Sequence, residues 1–248
     1  MAYGQDCRMN ALFQCKLVNS PFGDPALYVE TRHARQALLF DLGDISALGE
    51  GKTLKLTHVF ISHAHIDHFF GFDFLLRVML GRDKHLRLYG PPGITTHVAG
   101  KLSGYTWNLV QDYPLRLSVG EIHPGRICST TFTCAGQFTS EAAEPRPFKG
   151  VAVETPRFTV RAVQLDHGIP SLAFALEERF HINVLSARLQ GKGYAIGPWL
   201  NELKELIWQG RPDDCRVVVP GLDEEGGSIE AALGDLKREI VTITAGQK

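Results

Sequence analysis

The sequence is short of the features that mark membrane, disulfide-rich and strongly basic proteins. No run approaches the roughly 18 apolar residues of a membrane-spanning helix, and the first ten residues lack the apolar core of a signal peptide. The five cysteines are scattered and odd in number, which suits a reducing cytoplasm better than a disulfide framework. The formal net charge is −1, so any RNA contact must come from a local basic patch.

What remains is an ordinary globular composition. The chain has 248 residues, 44% of them hydrophobic and 21% charged, with no visible repeat or low-complexity tract. This length is enough for one large domain or two small ones.

The most informative stretch is a polar turn between a predicted strand and a predicted helix. Residues 57–61 read as a short buried strand, and residues 69–80 carry apolar residues at helical spacing. Between them lie four potential metal ligands: His63, His65, Asp67 and His68. A turn at the carboxyl end of a strand is where open α/β sheets place their sites.

The spacing of these four residues predicts a metal site. In an extended segment His63 and His65 point to the same side and can share one ion. Asp67 and His68 follow as the chain turns, so they can aim at a second position beside the first. Imidazole and carboxylate suit zinc and neighbouring divalent metals, which this pattern favours over a merely solvated loop.

This motif resembles the signature of the metallo-β-lactamase fold family, and its surroundings resemble the ribonuclease Z (tRNA 3′-processing endonuclease) branch. The supporting segments are Asp41-Leu42-Gly43-Asp44 and the turn Gly90-Pro91-Pro92-Gly93 between a strand and a helix over residues 94–102. The resemblance implies an α/β fold of the αββα sandwich type. It also implies that Asp41 fixes the ligand turn by hydrogen bonds, the alternative being a simple strand-end turn.

A second motif follows the predicted strand over residues 158–165. There His167 precedes a Gly/Pro turn and a new apolar strand, which resembles the third motif of the family. By this resemblance His167 completes a set of three imidazoles with His63 and His65, leaving one open position for water. Asp166 beside it could orient an imidazole.

Basic residues cluster between the predicted helix and the next strand. Arg77, Arg82, Lys84 and Arg87 could meet an RNA backbone, or they could form a solvated face.

The family pattern also implies a domain plan. Residues 1–178 correspond to the core, residues 179–238 to an arm inserted after the third metal motif, and residues 239–248 to the start of a core strand. The bridging Asp and the last His of the family have no counterpart, and no histidine follows His181. We therefore expect a fragment or a truncated form whose sandwich lacks the C-terminal part of its second half.

The resemblance implies a zinc-dependent phosphodiester hydrolase that removes the 3′ trailer of precursor tRNA. His63, His65 and His167 would hold the first Zn²⁺, and Asp67 and His68 the second; the complete family uses two ions, and we expect one or two here. Asp67 would also accept the proton of the attacking water.

Two alternatives stay open. One is another phosphodiesterase or esterase of the same fold, and the other is a non-catalytic remnant or subunit that lacks two ligands. The expected partners are precursor tRNA or another phosphodiester, together with a second copy of the chain in a homodimer.

Overall fold

The structure is a computed structural model that describes residues 12–32, 36–222 and 227–246. No helix in this part of the chain is long and apolar enough to cross a membrane. The first ten residues and the tip of the predicted hairpin at residues 33–35 lie outside the described residues.

The described residues form sixteen strands, seven helices and one 3₁₀ turn. The strands are β1 (Phe13–Leu17), β2 (Leu27–Thr31), β3 (Ala37–Phe40), β4 (Leu56–Phe60), β5 (His85–Gly90), β6 (Arg116–His123), β7 (Arg126–Thr133), β8 (Ser140–Ala142), β9 (Arg146–Pro147), β10 (Val151–Glu154), β11 (Phe158–Asp166), β12 (Pro170–Glu178), β13 (Phe180–Val184), β14 (Arg216–Pro220), β15 (Ser228–Ala232) and β16 (Val241–Ala245). The helices are α1 (Glu50–Thr53), α2 (Ile66–Phe69), α3 (Phe72–Met79), α4 (Ile94–Ser103), α5 (Ser186–Gly191), α6 (Trp199–Trp208) and α7 (Leu233–Ile240), with a 3₁₀ turn at Ser46–Leu48.

The chain divides into two compact units. The larger unit comprises Phe13–Val153 and Val160–Ala175, and the smaller one contains Glu154–Thr159 and the chain from Leu176 onward. Strands β1 to β9 form one large sheet, and β10, β11 and β12 form a three-stranded sheet in that order. In the smaller unit, β13 pairs with β16 and β14 with β15, both antiparallel.

The centre of the large sheet is parallel. Strand β3 pairs with β4, β4 with β5 and β5 with β6, all parallel, so their carboxyl ends meet at one edge. The β4 strand agrees with the buried strand predicted before the polar turn. Parallel strands need covered faces, which explains the continuous apolar sequence of β3.

The two faces of this sheet are covered differently. On one face, residues such as Val59 and Leu88 pack against Phe72 and Leu75 of helix α3 in the main apolar core. On the other, the rings of Phe40 and Phe60 stack 4.9 Å apart, and Phe174 of β12 contacts both. The larger unit thus has a helix layer, a large sheet and part of a second sheet, which confirms the predicted α/β class.

The single helix predicted over residues 69–80 is wrong. The structure has two helices, α2 and α3, separated at Phe70 and Gly71. The break arises because Gly71 packs against the loop after β3: its N–H donates to the carbonyl of Leu42, and a Cβ on Gly71 would overlap the carbonyl oxygen of Gly43. Apolar periodicity carries no information about such a backbone contact.

Residues 135–150 are rich in Glu, Pro, Ala and Gly, a composition that predicts a surface loop. This prediction is partly wrong, because the segment contains the short strands β8 and β9. Both pair with β7 at the border of the large sheet.

Candidate metal centre

The polar turn leaves the carboxyl end of β4. After β4, the N–H of Ile61 still donates to the carbonyl of Tyr89 on β5, at 2.7 Å. The chain then passes through Ser62 to His65 and enters helix α2 at Ile66. The metal motif therefore lies at the edge where the parallel strands end, as the sequence predicted.

Three imidazoles converge at this edge. One ring nitrogen each from His63, His65 and His167 lies within 4.8 Å of the others. Nε2 of His63 is 3.0 Å from Nδ1 of His65, and the rings of His63 and His167 are 5.1 Å apart. Within the described ranges this is the one group of three or more potential ligands that meets so closely.

His167 reaches the cluster from the turn between β11 and β12. Gly168 has a φ of 72°, a conformation that favours glycine, and its N–H donates to Oδ1 of Asp166 at 2.9 Å. Asp166 therefore shapes the turn around His167. The N–H of Leu172 donates to the carbonyl of Ser62 at 2.9 Å, which fixes β12 beside the polar turn.

Ser62 and Asp41 form the support of the cluster. Oδ1 of Asp41 accepts from the N–H of Ser62 at 2.7 Å, and Oδ2 accepts from its hydroxyl at 3.0 Å. The Ser62 oxygen also lies 3.0 Å from Nδ1 of His63 and 3.1 Å from Nδ1 of His68. These contacts confirm that Asp41 holds the ligand turn, and they add Ser62, for which the sequence predicted no role.

The contacts of Ser62 determine where the imidazole protons lie. An ionised carboxylate only accepts, so the single hydroxyl proton of Ser62 goes to Asp41, and its oxygen accepts from the two Nδ1–H groups. Nδ1 of His68 also lies 3.0 Å from Oδ2 of Asp41. Consequently Nε2 of His63 and Nε2 of His68 each keep a lone pair, as a metal ligand requires.

Asp67 and His68 lie beside the three imidazoles. The ring of His68 is 4.0 Å from that of His63, and its Nε2 is 3.5 Å from Oδ2 of Asp67. The Asp67 side chain is 50% exposed, whereas that of His68 is 16% exposed. Asp67 and His68 thus lie next to the three imidazoles but do not join that group of three within the described residues.

The environment keeps His63 neutral. Burial is the largest cause that lowers the pKa of His63, and the neighbouring imidazoles His68 and His65 lower it further, against an opposing effect of Asp41. A histidine that stays neutral as the pH falls retains its lone pair over a wider pH range.

A close backbone approach fixes helix α2 below the cluster. Asp41 has a φ of 60°, which Asp tolerates better than most residues. The next residue, Leu42, donates to the carbonyl of His68 and accepts from Gly71. A Cβ on Gly43 would lie 2.5 Å from the carbonyl oxygen of Asp67. Leu42 and Gly43 thus serve the site through their backbone, whereas Asp41 also serves it through its carboxylate.

The predicted basic patch is not part of this centre. Arg82 and Lys84 precede β5, at the amino ends of the parallel strands, whereas the imidazoles follow the carboxyl end of β4. Arg87 pairs in register with His58, also toward that opposite edge. An RNA contact there would be separate from the metal cluster.

The chain resembles known proteins over most of its length. It is 31% identical to ribonuclease Z of Deinococcus radiodurans over 236 residues, which are 90% of this chain and 71% of that protein. It is 30% identical to ribonuclease Z of Listeria innocua and 29% identical to that of Enterococcus faecalis, and it spans 60% and 61% of their lengths. No protein-family model matches the chain.

Among solved structures, the chain is similar to human tRNase Z, short form, with a TM-score of 0.42 and 19% identity over 68% of this chain and 64% of the other. The metallo-beta-lactamase fold protein YhfI from Bacillus subtilis gives a TM-score of 0.40 at 17% identity, over 67% of this chain and 56% of the other. The decisive likeness is in sequence: with 31% identity across 71% of the Deinococcus radiodurans protein, the chain belongs to the ribonuclease Z family.

Proposed function

We propose that this chain is a metal-dependent phosphodiester hydrolase of the ribonuclease Z family. Its proposed substrate, which follows from the family resemblance of its motifs, is the 3′ trailer of precursor tRNA. The observation that carries the proposal is the convergence of His63, His65 and His167 within 4.8 Å. His63 is buried and His65 and His167 are exposed, so the cluster opens to solvent on one side. Asp41 and Ser62 orient its buried member, His63.

The donor set fits zinc. Three imidazoles and one open position for water are a ligand set of catalytic zinc sites. When bound, the ion would supply a Lewis acid and bring the pKa of a coordinated water down to about 7. The Ser62 contact on His63 fixes the ring with Nε2 toward the cluster.

Asp67 and His68 are proposed to hold a second ion. Nε2 of His68 and Oδ2 of Asp67 face the same side, 3.5 Å apart. Because the Asp67 carboxylate is half exposed, it is also the group placed to accept a proton from an attacking water. Cleavage of the diester would then leave a 3′ hydroxyl on the tRNA.

The substrate and the domain plan belong to the same proposal. Residues 1–178 would form the core and residues 179–238 an arm, with residues 239–248 beginning a core strand. The arm is not rich in basic residues, and the whole chain has a net charge of −1. These features favour, as a second candidate, a hydrolase of another phosphodiester or of a small ester.

A third candidate is a non-catalytic member of the family. It is motivated by the ligand count, since Asp67 and His68 do not join the group of three within the described residues. Binding of one ion without hydrolysis would support this candidate.

Zinc content and hydrolysis of the purified, dialysed chain test the proposal. We expect one to two zinc ions per chain by elemental analysis and metal-dependent hydrolysis of precursor tRNA. The His63→Ala variant should lose the bound zinc and the hydrolysis. The His97→Ala variant, which removes an exposed histidine of α4, should retain the zinc and the hydrolysis. Equal zinc content in the two variants would contradict the site assignment.

A substrate comparison separates the candidates. Cleavage of precursor tRNA at the 3′ trailer, measured on gels, supports the tRNA enzyme; turnover of bis(p-nitrophenyl) phosphate alone supports the broader diesterase. Light scattering on the same sample tests the proposed homodimer.

A further inference from the structure

A cavity adjoins the metal centre on the side of His167. Its volume is about 440 Å³, within the range of small-molecule sites, which is roughly 300–1,000 Å³. Asp166 and Gly168, the chain neighbours of His167, both line it. The cavity therefore begins one residue to either side of His167 in the chain.

The walls of the cavity are mainly apolar. Pro92 and Pro124 come from two loops of the large sheet, and Leu165, Ile169 and Pro170 come from the strands that carry His167. Leu165 is 52% exposed although it is apolar, and it lies at the cavity. Flat proline rings and branched side chains suit the face of a planar ring better than a charged group.

The polar groups of the cavity are mostly acceptors. Asp166 is its one charged lining residue, and Oδ1 already accepts from Gly168, which leaves Oδ2 available. Gln164 donates its amide N–H to the carbonyl of Ile122 at 3.4 Å, which presents Oε1 as an acceptor. With no Lys or Arg in the lining, the site disfavours a phosphate and favours a neutral ring that carries N–H donors.

Glu121 holds two of the walls in place. Its Oε2 accepts from the N–H of Thr95 at 3.2 Å, and its Oε1 lies 2.8 Å from Nε2 of His123. Thr95 closely follows Pro92, and His123 directly precedes Pro124. Burial raises the pKa of Glu121, but hydrogen bonds from Gly93, Thr95 and His123 lower it below its usual range. One carboxylate thus links both proline loops.

We propose that this cavity binds the nucleobase of a nucleotide next to the scissile phosphate, and that Glu121 is a positioning residue for it. The location next to a scissile phosphate rests on the proposed function, whereas the binding of a nucleobase in the cavity does not. The three-imidazole cluster would take the phosphate, and the acceptors at Asp166 and Gln164 would take the N–H groups of an amino-bearing base.

Binding of adenosine tests the cavity without any phosphate. Saturation-transfer NMR on the full chain should show adenosine binding, and ribose 5-phosphate should bind more weakly. Leu165→Glu replaces an apolar wall by a carboxylate and should weaken adenosine binding by about 10-fold or more. Val163→Glu is the matched control: Val163 is 57% exposed on the same strand but does not line the cavity, so binding should persist.

The role of Glu121 has its own readout. Glu121→Ala should weaken adenosine binding, and Glu121→Gln, which keeps an acceptor for Thr95, should restore most of it. Glu144→Ala removes an exposed carboxylate elsewhere and should leave binding unchanged. Zinc content should stay the same in all three variants, because none of these residues is a proposed ligand.

The outcomes distinguish this inference from the proposed reaction. If Leu165→Glu and Val163→Glu bind adenosine equally, or if ribose 5-phosphate displaces adenosine from the cavity, the nucleobase site is wrong. Metal-dependent hydrolysis of ethyl p-nitrophenyl phosphate, a diester without a base, tests the reaction separately. Loss of that hydrolysis with intact, Leu165-dependent adenosine binding would overturn the reaction and keep the base site.

Discussion

Two groups of histidines lie toward opposite edges of the large sheet and differ in what their ring nitrogens meet. At the carboxyl end of β4, nitrogens of His63, His65 and His167 face one another. Toward the opposite edge, Nδ1 of His58 lies 3.0 Å from the hydroxyl of Thr57, and Nε2 of His85 lies 2.8 Å from the hydroxyl of Ser118.

The comparison separates a histidine that is proposed to bind a metal ion from one that packs in the interior. His58 is 8% exposed and stacks with Phe60 and Tyr89, so it serves as one more ring of the interior. The first group instead brings one ring nitrogen of each histidine into a shared space. Convergence of acceptors, more than the number or burial of histidines, is what indicates a metal site.

The largest expected effect distinguishes the two groups by metal binding. His63→Ala should lower zinc affinity by more than about 100-fold, since loss of a ligand exceeds the 10–100-fold loss typical of a ligand's supporting contact. His58→Phe should leave zinc affinity unchanged. Competition with a chromogenic chelator measures both, and comparable losses in the two variants would break the distinction.

The second effect concerns acid stability. Burial, followed by the charges of Arg87 and His85, lowers the pKa of His58 from 6.5 to about 4. A depressed folded-state pKa means that the unfolded chain binds a proton first as the pH falls. Stability present above pH 6.5 is therefore lost between about pH 6.5 and 4, by up to about 3 kcal/mol.

His58→Phe should remove this part of the pH dependence. Urea unfolding at pH 7 and pH 4.5 should show a smaller loss of unfolding free energy for the variant than for the parent chain. His97→Ala, at an exposed position, serves as the control and should follow the parent chain. If His58→Phe loses as much unfolding free energy between pH 7 and pH 4.5 as the parent chain, His58 is not the source of this pH dependence.

The third effect concerns the support of the metal-binding group. Asp41→Ala removes the carboxylate that accepts hydrogen bonds from the N–H and the hydroxyl of Ser62. Ser62 then no longer orients the rings of His63 and His68, so zinc affinity should fall by about 10- to 100-fold. Asp41→Asn tolerates the φ of 60° and keeps one acceptor, so its loss should be smaller. Calorimetric zinc titration ranks the two, and a reversed order would contradict the role of the carboxylate.

The smallest effect concerns the backbone below the cluster. Gly71→Ala should lower the unfolding free energy by about 1–3 kcal/mol, because the new Cβ would overlap the carbonyl oxygen of Gly43. Gly51→Ala in α1 is the matched control: nothing lies within 4 Å of its Cβ position, and stability should rise by about 0.5–1 kcal/mol. Thermal and urea unfolding compare them.

Sequence reasoning predicted the parts of the site that depend on local pattern. The apolar pattern of the sequence predicts the strand β4 and the turn after it. The spacing along the chain predicts that His63, His65, Asp67 and His68 lie close together. Helix α4 agrees with the helix predicted over residues 94–102 for the same reason.

The remaining parts depend on contacts between distant residues. Ser62 meets Asp41 from 21 positions away, and Glu121 meets Thr95 from 26 positions away. The break at Gly71 depends on the neighbouring loop and not on its own helix. Such contacts are set by how the strands pair, which a single sequence does not state directly.

The backbone hydrogen bonds of Leu42 bear on the order in which the site forms during folding. Its N–H and carbonyl join His68 and Gly71, and Asp41 reaches Ser62 once the parallel strands β3 and β4 are side by side. A peptide of residues 56–71 alone would contain four ligands but none of these anchors. We therefore expect metal uptake, if the group binds an ion as proposed, to follow assembly of the sheet, unlike in small zinc modules whose folding is driven by the ion.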